Sequence, residues 1–438
     1  MSDLKQAALQ RVIGVPGLAA AIFNITVGAG IFVLPAYAAG QLGAAAPLAY
    51  LVCAVAIALL ALCFAEAGSR VPRSGGPYAY VETAFGPYAG YLCGVLLWLG
   101  ITLAIGAVAG VFADSLAALI PELSGRIWRA VVVVLLVGSL TIVNVRGAAP
   151  GSRLSGISIL AKLVPLVAFV VLGAPHVASA NLAITAPPPL RQIGATGLLL
   201  MFAFFGMESA LQVSGEVVSP QRTVPRAIAL GLCGVALLYI SVQLVAQGVL
   251  GGSLAAPDVA KAPLAAAAQQ FAGAGGKRLI LIGTLLSTFG FMAASMLSTP
   301  RTLYALAADG FLPQPLARVH SRYHTPDIAI VIQAIVVCII ALGVTYVQLA
   351  IISSSAVLLV YLACAVAAAR LRQKDIRSDG EPFRMPAGTV VPWAAAALIV
   401  WLLHTATALA WLLTGGVVAL ASLGYLARRG SVVPPLHR

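Results

Sequence analysis

The chain has 438 residues, 61% of them hydrophobic and only 9% charged, with a mean hydropathy of +1.01. A water-soluble fold of this length cannot hide that much apolar surface, so lipid must be its solvent and the chain reads as an all-α membrane protein. The net charge of +13 does not mark a nucleic-acid binder, because the basic residues punctuate the gaps between apolar runs instead of forming one patch.

In chain order, a short polar segment from Met1 to Arg11 leads into the first apolar run. That run shows no convincing small-residue cleavage site and reads as a retained span, not a signal peptide. Spans are predicted at about 13–42, 45–69, 88–116, 127–145, 154–174, 193–216, 225–250, 278–308, 327–345, 348–369, 390–405 and 408–427. This makes about twelve transmembrane helices, the last two separated only by His404, Thr405 and Thr407. The stretch from Ser74 to Glu82 is too polar to span and is read as a loop. All six cysteines (Cys53, Cys63, Cys93, Cys233, Cys338 and Cys364) fall inside apolar runs without metal-type spacing, so they are expected to be packing residues.

Gly28 and Gly30 lie near the centre of the first run, within Asn24-Ile-Thr-Val-Gly-Ala-Gly-Ile-Phe-Val-Leu-Pro35. Each costs a helix about 1 kcal/mol relative to alanine. The run is therefore either a dented helix packed on a neighbour or two half-helices meeting at an opening, where unwound backbone is tolerated. The sixth run repeats the theme, with Gly206 and an ionisable Glu208 deep inside Leu200-Met-Phe-Ala-Phe-Phe-Gly-Met-Glu-Ser209. Glu208 reads equally well as a proton carrier and as a structural carboxylate pinning the break. In the fifth run Lys162 lies nine residues beyond Arg153, roughly 13 Å deeper along a helix. A charge at such depth costs at least about 2.5–3.5 kcal/mol and is a functional candidate by default, the alternative being a lysine bound to helix carbonyls. Glu66 and Arg70, four residues apart at a helix end, read as an interfacial pair.

With the N-terminus placed in the cytoplasm, nineteen lysines and arginines fall on the inside and six on the outside, Lys162 being set apart within its span. That bias puts both termini in the cytoplasm. Equivalent spans in the two halves start about 180–200 residues apart, and Gly28 and Gly206 are 178 residues apart. Five helices repeated with an odd count must insert in opposite senses, giving a 5+5 inverted repeat with broken helices 1 and 6 and two appended helices. The chain is thus one transmembrane domain over 1–438, with repeats at 12–174 and 193–370 and the appended pair at 388–428. Inverted repeats with matched broken helices mark secondary transporters, whose site lies between the repeats near the midplane.

Several stretches carry a resemblance to the amino acid–polyamine–organocation superfamily over nearly the whole chain. They are Gly28-Ala-Gly-Ile-Phe-Val-Leu-Pro35, Ser69-Arg-Val-Pro-Arg-Ser-Gly-Gly-Pro-Tyr78, Phe202-Ala-Phe-Phe-Gly-Met-Glu208 with Glu216 and Ser219-Pro-Gln-Arg-Thr-Val-Pro-Arg226, and Pro300-Arg-Thr-Leu-Tyr-Ala-Leu-Ala-Ala-Asp-Gly-Phe-Leu-Pro313. The resemblance implies alternating access to an amino acid. Its carboxylate would meet the N–H groups of Val27, Gly28, Ala29 and Gly30, with Ile25 and Ile31 beside them. Its ammonium would meet carbonyls around Phe202, Ala203 and Phe204, with Phe205 and Gly206 completing the site. A zwitterion suits this pairing of helix ends, positive at an N-terminus and negative at a C-terminus. Lys162 matches a lysine that stands, in several sodium-independent relatives, where related carriers hold sodium, which implies coupling to protons, or by exchange, rather than to sodium, and Glu208 matches an acidic position of some proton-coupled members.

The expected function is uptake of neutral, apolar L-amino acids across an inner (plasma) membrane, the lining being Ile25, Trp98, Phe202, Phe204 and Phe205. The alternatives are exchange, export, or a cationic amino acid or polyamine substrate. The expected partners are the amino acid, protons and lipid, with no nucleic acid, cofactor or metal. An intramembrane enzyme is disfavoured because the five histidines are scattered, mostly in loops, and a channel because no charged pore ring is visible.

Overall fold

The computed structural model describes residues 14–71, 76–147, 152–206, 217–218, 220–376 and 381–428. Among these the regular structure is helical, with no β-strand. The helices are α1 (Val15–Thr26), α2 (Gly30–Leu42), α3 (Ala46–Arg70), α4 (Pro77–Phe85), α5 (Pro87–Leu119), α6 (Arg126–Val145) and α7 (Ser152–Gly173). They continue as α8 (Leu190–Phe204), α9 (Pro220–Leu250), α10 (Pro263–Ala308), α11 (Asp327–Gly343), α12 (Tyr346–Gln373), α13 (Val391–His404) and α14 (Ala408–Arg428). Seven stretches are long and apolar enough to cross a bilayer unaided: 30–70, 87–119, 126–145, 223–255, 263–308, 346–373 and 408–427. Shorter apolar helices lie between them, including α1, α8, α11 and α13. Together they make a multi-pass membrane protein. Glu208, Glu216 and both chain termini lie outside the described residues.

Local chemistry explains several of the ends. Proline enters the first turn of α1, α3, α4 and α5, where its missing N–H costs nothing. Thr345 caps α12 through a reciprocal box with Gln348, and Arg370 and Arg372 sit in the last turn, favourable to the negative helix end. The stretch read as a loop at 74–82 is, from Pro77, the short helix α4, bounded by Gly76 at φ +53° and Gly86 at φ +97°. Its polar residues forbid a span but not a helix. Ala79, Tyr80 and Val81 are buried, and the helix packs on α5 and α12.

One helix group, α1, α2, α3, α8 and α9, surrounds the two breaks, while α5, α6, α10 and α11 form a second. Helix α12 packs along α5 and also touches α3, α4 and α8, so it bridges the groups. The contact with α5 is close: Ser353 donates to the Gly100 carbonyl at 2.8 Å, and small residues at such crossings let helices approach. Ser353 thus serves helix packing. Four cysteines (Cys53, Cys63, Cys93 and Cys364) are buried, as packing residues should be, whereas Cys233 is exposed and Cys338 half-buried. Helix α14 leaves Leu412, Leu420 and Leu423 exposed, as a lipid-facing helix would.

Glu66 and Arg70 pair as expected, at 2.8 Å, and the pair lies inside the protein. Both side chains are almost wholly buried, because Arg372 and the backbone at Met385 cover the carboxylate. Helical spacing predicts the pair; its cover comes from residues more than 300 positions away.

Candidate functional site

The first run is broken, not dented. Helix α1 stops at Thr26, Val27 turns to extended geometry (φ −73°, ψ 92°), and α2 begins at Gly30. A helix end leaves its last four carbonyls without intrahelical donors. Each of those four has a neighbour here. The Phe23 carbonyl accepts from the Val27 N–H at 2.9 Å. Lys162, buried in α7, donates its Nζ to the Asn24 carbonyl at 3.2 Å. The Tyr239 hydroxyl of α9 lies 3.0 Å from the Thr26 carbonyl. The Ile25 carbonyl faces Gly206, where a Cβ would come within 3.2 Å of it. A lysine ammonium at this end also meets the roughly half negative charge of the helix dipole.

The second break adjoins the first. Helix α8 ends at Phe204, Phe205 is extended, and Gly206 sits at φ +116°, a left-handed value that favours glycine. A Cβ on Gly206 would lie 2.7 Å from the Ile25 Cγ2, and one on Gly30 would lie 2.8 Å from the Ala203 Cβ. The chain crosses itself here at backbone contact distance. Tyr239 spans both breaks, since its hydroxyl is also 2.9 Å from the Ala203 carbonyl. One O–H proton serves two carbonyls on two broken helices.

The N-terminal side of α2 differs. A Cβ at Gly28 would meet nothing closer than the Thr26 carbonyl oxygen at 4.0 Å, an ordinary contact that leaves the position uncrowded. The first N–H groups of a helix point out of its end and carry its positive pole.

The expected lining residues divide. Ile25 is exposed at 37%, and Phe202 and Phe205 are half-buried, stacked edge-on against Tyr346 and Tyr361. Phe204 is fully buried and turned onto Tyr239. Val27, Ala29 and Ile31 are buried beside Gly30. Trp98 lies elsewhere. Its indole N–H donates to Gln333 Oε1 of α11 at 2.7 Å, and its ring lines a separate apolar cavity of about 400 Å³ shared with Leu306, Phe311 and Leu420.

Sequence reasoning missed Tyr239. The available signal was Tyr239, Gln243 and Gln247, which recur at one-turn spacing within an apolar span and are all buried. It also missed Gln333, a wholly buried amide that fixes both Trp98 and Thr102. Among the described residues no cluster of three or more His, Cys, Asp or Glu side chains could hold a metal ion.

Over residues 13–423 the sequence matches the amino acid permease family. The chain belongs to that family, within the amino acid–polyamine–organocation superfamily. Its relatives include a methylthioribose transporter of Bacillus subtilis (strain 168), 27% identical and covering 93% of this chain and 91% of that protein. The serine/threonine exchanger SteT of the same organism is 29% identical, covering 74% of this chain and 75% of that protein. The branched-chain amino acid permease BcaP of Lactococcus lactis subsp. cremoris (strain MG1363) is 26% identical, over 83% and 82%. Membership in this permease family makes the chain a transporter rather than an enzyme.

Proposed function

We propose that the protein carries amino acids across the cytoplasmic membrane by alternating access, through twelve crossings arranged as a 5+5 inverted repeat plus two, with both termini in the cytoplasm. The observation that carries this reading is the contact between the two breaks, α1/α2 and α8, held by one tyrosine hydroxyl and two crowded glycines. The uncrowded side at Gly28 gives an α-carboxylate the positive pole of α2. The α-ammonium is met by carbonyls at the end of α8, at Phe202, Ala203 and Phe204, with Ala203's already sharing the Tyr239 proton. Ile25, Phe202 and Phe205 then face the substrate side chain, which favours neutral, apolar amino acids.

Transport is proposed to be independent of sodium and coupled to protons. Lys162 already brings a cation to the Asn24 carbonyl, and a second cation there would be repelled. Glu208 is the second proposed proton group; it lies outside the described residues. A second reading, obligatory exchange, is favoured by the 29% identity to a protein named as a serine/threonine exchanger.

The test is uptake of radiolabelled amino acids into proteoliposomes with pH and sodium gradients imposed separately. Leucine or valine uptake driven by an inward proton gradient alone is the expected result. Strict sodium dependence sinks the role given to Lys162, and uptake only into vesicles preloaded with amino acid selects exchange. Lys162→Ala should remove the response to the proton gradient; normal uptake with an unchanged pH profile would refute its coupling role.

A further inference from the structure

Glu66 lies near the C-terminal end of α3, and the transport site makes no use of it. Its carboxylate is fully enclosed and holds donors from three chain segments. Arg70 of its own helix gives Nε at 3.1 Å and Nη2 at 2.8 Å to one oxygen. The other oxygen accepts from Arg372 Nη1 of α12 at 3.4 Å and from the Met385 backbone N–H at 3.1 Å. Arg70 continues outward, its Nη1 donating to the Ile376 carbonyl at 3.2 Å and lying 3.9 Å from Asp375. Next to it, the Phe383 N–H donates to Ser69 Oγ at 3.0 Å.

The two sides of this seam are unequal. On the α3 side, Glu66 and Arg70 neutralise each other and travel on one helix. Across the seam, every contact just named is a single hydrogen bond or ion pair that water can replace. Burying ions costs several kcal/mol each, and well-packed apolar residues commonly hold a static joint as well or better. An apolar joint would, however, expose hydrocarbon whenever it parted. A self-paired carboxylate that reads α12 and a distant backbone suits a joint that opens and recloses in one register.

We propose that Glu66 is the hub of an ionic latch that holds the Arg70 end of α3 against α12 and against residues 375–376 and 383–385, and that the latch parts during the transport cycle. The proposal rests on the transporter reading. It links the latch to the breaks, since α3 also packs on α8 and α9.

Native cysteines report on it without any substrate. Cys63 lies one turn from Glu66, and Cys53 lies towards the opposite end of the same helix; both are buried and free. Two single-cysteine proteins, one keeping Cys63 and one keeping Cys53, are labelled with a membrane-permeant methanethiosulfonate. Arg372→Ala removes the partly exposed member of the hub and leaves the Glu66–Arg70 pair in place. Met385→Pro removes one N–H donor without changing any charge. Each is expected to raise Cys63 labelling by about fivefold or more while Cys53 stays within about twofold, and Arg372→Lys to fall between. If either variant fails to fold, the other decides. Unchanged Cys63 labelling overturns the latch, and so does an equal rise at Cys53, which would mean general loosening. Because no transport is measured, a wrong substrate assignment and a wrong latch give different results.

Discussion

The two sides of the first break are built differently. At the α1 end each of the last four carbonyls has a partner or a backbone against it, drawn from Val27, α7, Gly206 after α8, and α9. Ahead of α2, a Cβ at Gly28 would make only an ordinary contact, 4.0 Å from the Thr26 carbonyl oxygen. Two glycines separated by one residue therefore have different duties. Gly30 lets α2 touch α8, and Gly28 leaves room. The negative helix end is thus fastened by the protein, whereas a side chain at Gly28, ahead of the positive end, would be uncrowded.

Leucine at each glycine should separate these duties most strongly. Gly28→Leu is expected to abolish amino acid uptake yet leave folded, monodisperse protein in the membrane. Gly30→Leu should abolish both, because its side chain would run into the Ala203 backbone and the Leu34 side chain. Size-exclusion profiles beside uptake assays read the difference, and intact transport by Gly28→Leu would refute a site at that break.

The fastened end can be attacked directly. Tyr239→Phe keeps the ring but leaves the Thr26 and Ala203 carbonyls without their hydroxyl donor, a loss of about 1–3 kcal/mol for unpaired buried groups. A lowered melting temperature is the expected outcome, and no change would mean that water serves those carbonyls equally well.

Alanine gives a milder version of the glycine contrast. Gly30→Ala places a Cβ 2.8 Å from Ala203 and should cost about 1–3 kcal/mol through overpacking. Gly28→Ala meets no atom closer than 4.0 Å and should shift stability by no more than about 0.5 kcal/mol, the range of an unobstructed site. Equal melting temperatures for the two alanine variants would erase the asymmetry.

Much of the architecture was legible before any coordinates. A bilayer demands long apolar runs, so helix positions follow from composition, and the observed helices overlie the described part of every predicted span. Both breaks announce themselves through local residues: Gly28 and Gly30 in one run, Gly206 in the other. The place of Lys162 midway along α7 follows from counting residues along a helix. These are short-range properties, and local sequence carries them.

Tertiary structure decided the rest. Lys162 finds the Asn24 carbonyl 138 positions away, and Tyr239 finds Thr26 213 positions away. Trp98 leaves the expected lining for Gln333, 235 positions on, and Glu66 is sealed by Arg372, 306 positions on. Which glycine is crowded and which is not depends on the same packing. In an apolar chain the hydropathy pattern says where helices run but hardly distinguishes their faces. Partners are then chosen by close packing and by the need to satisfy each buried polar group, conditions met only when distant helices come together.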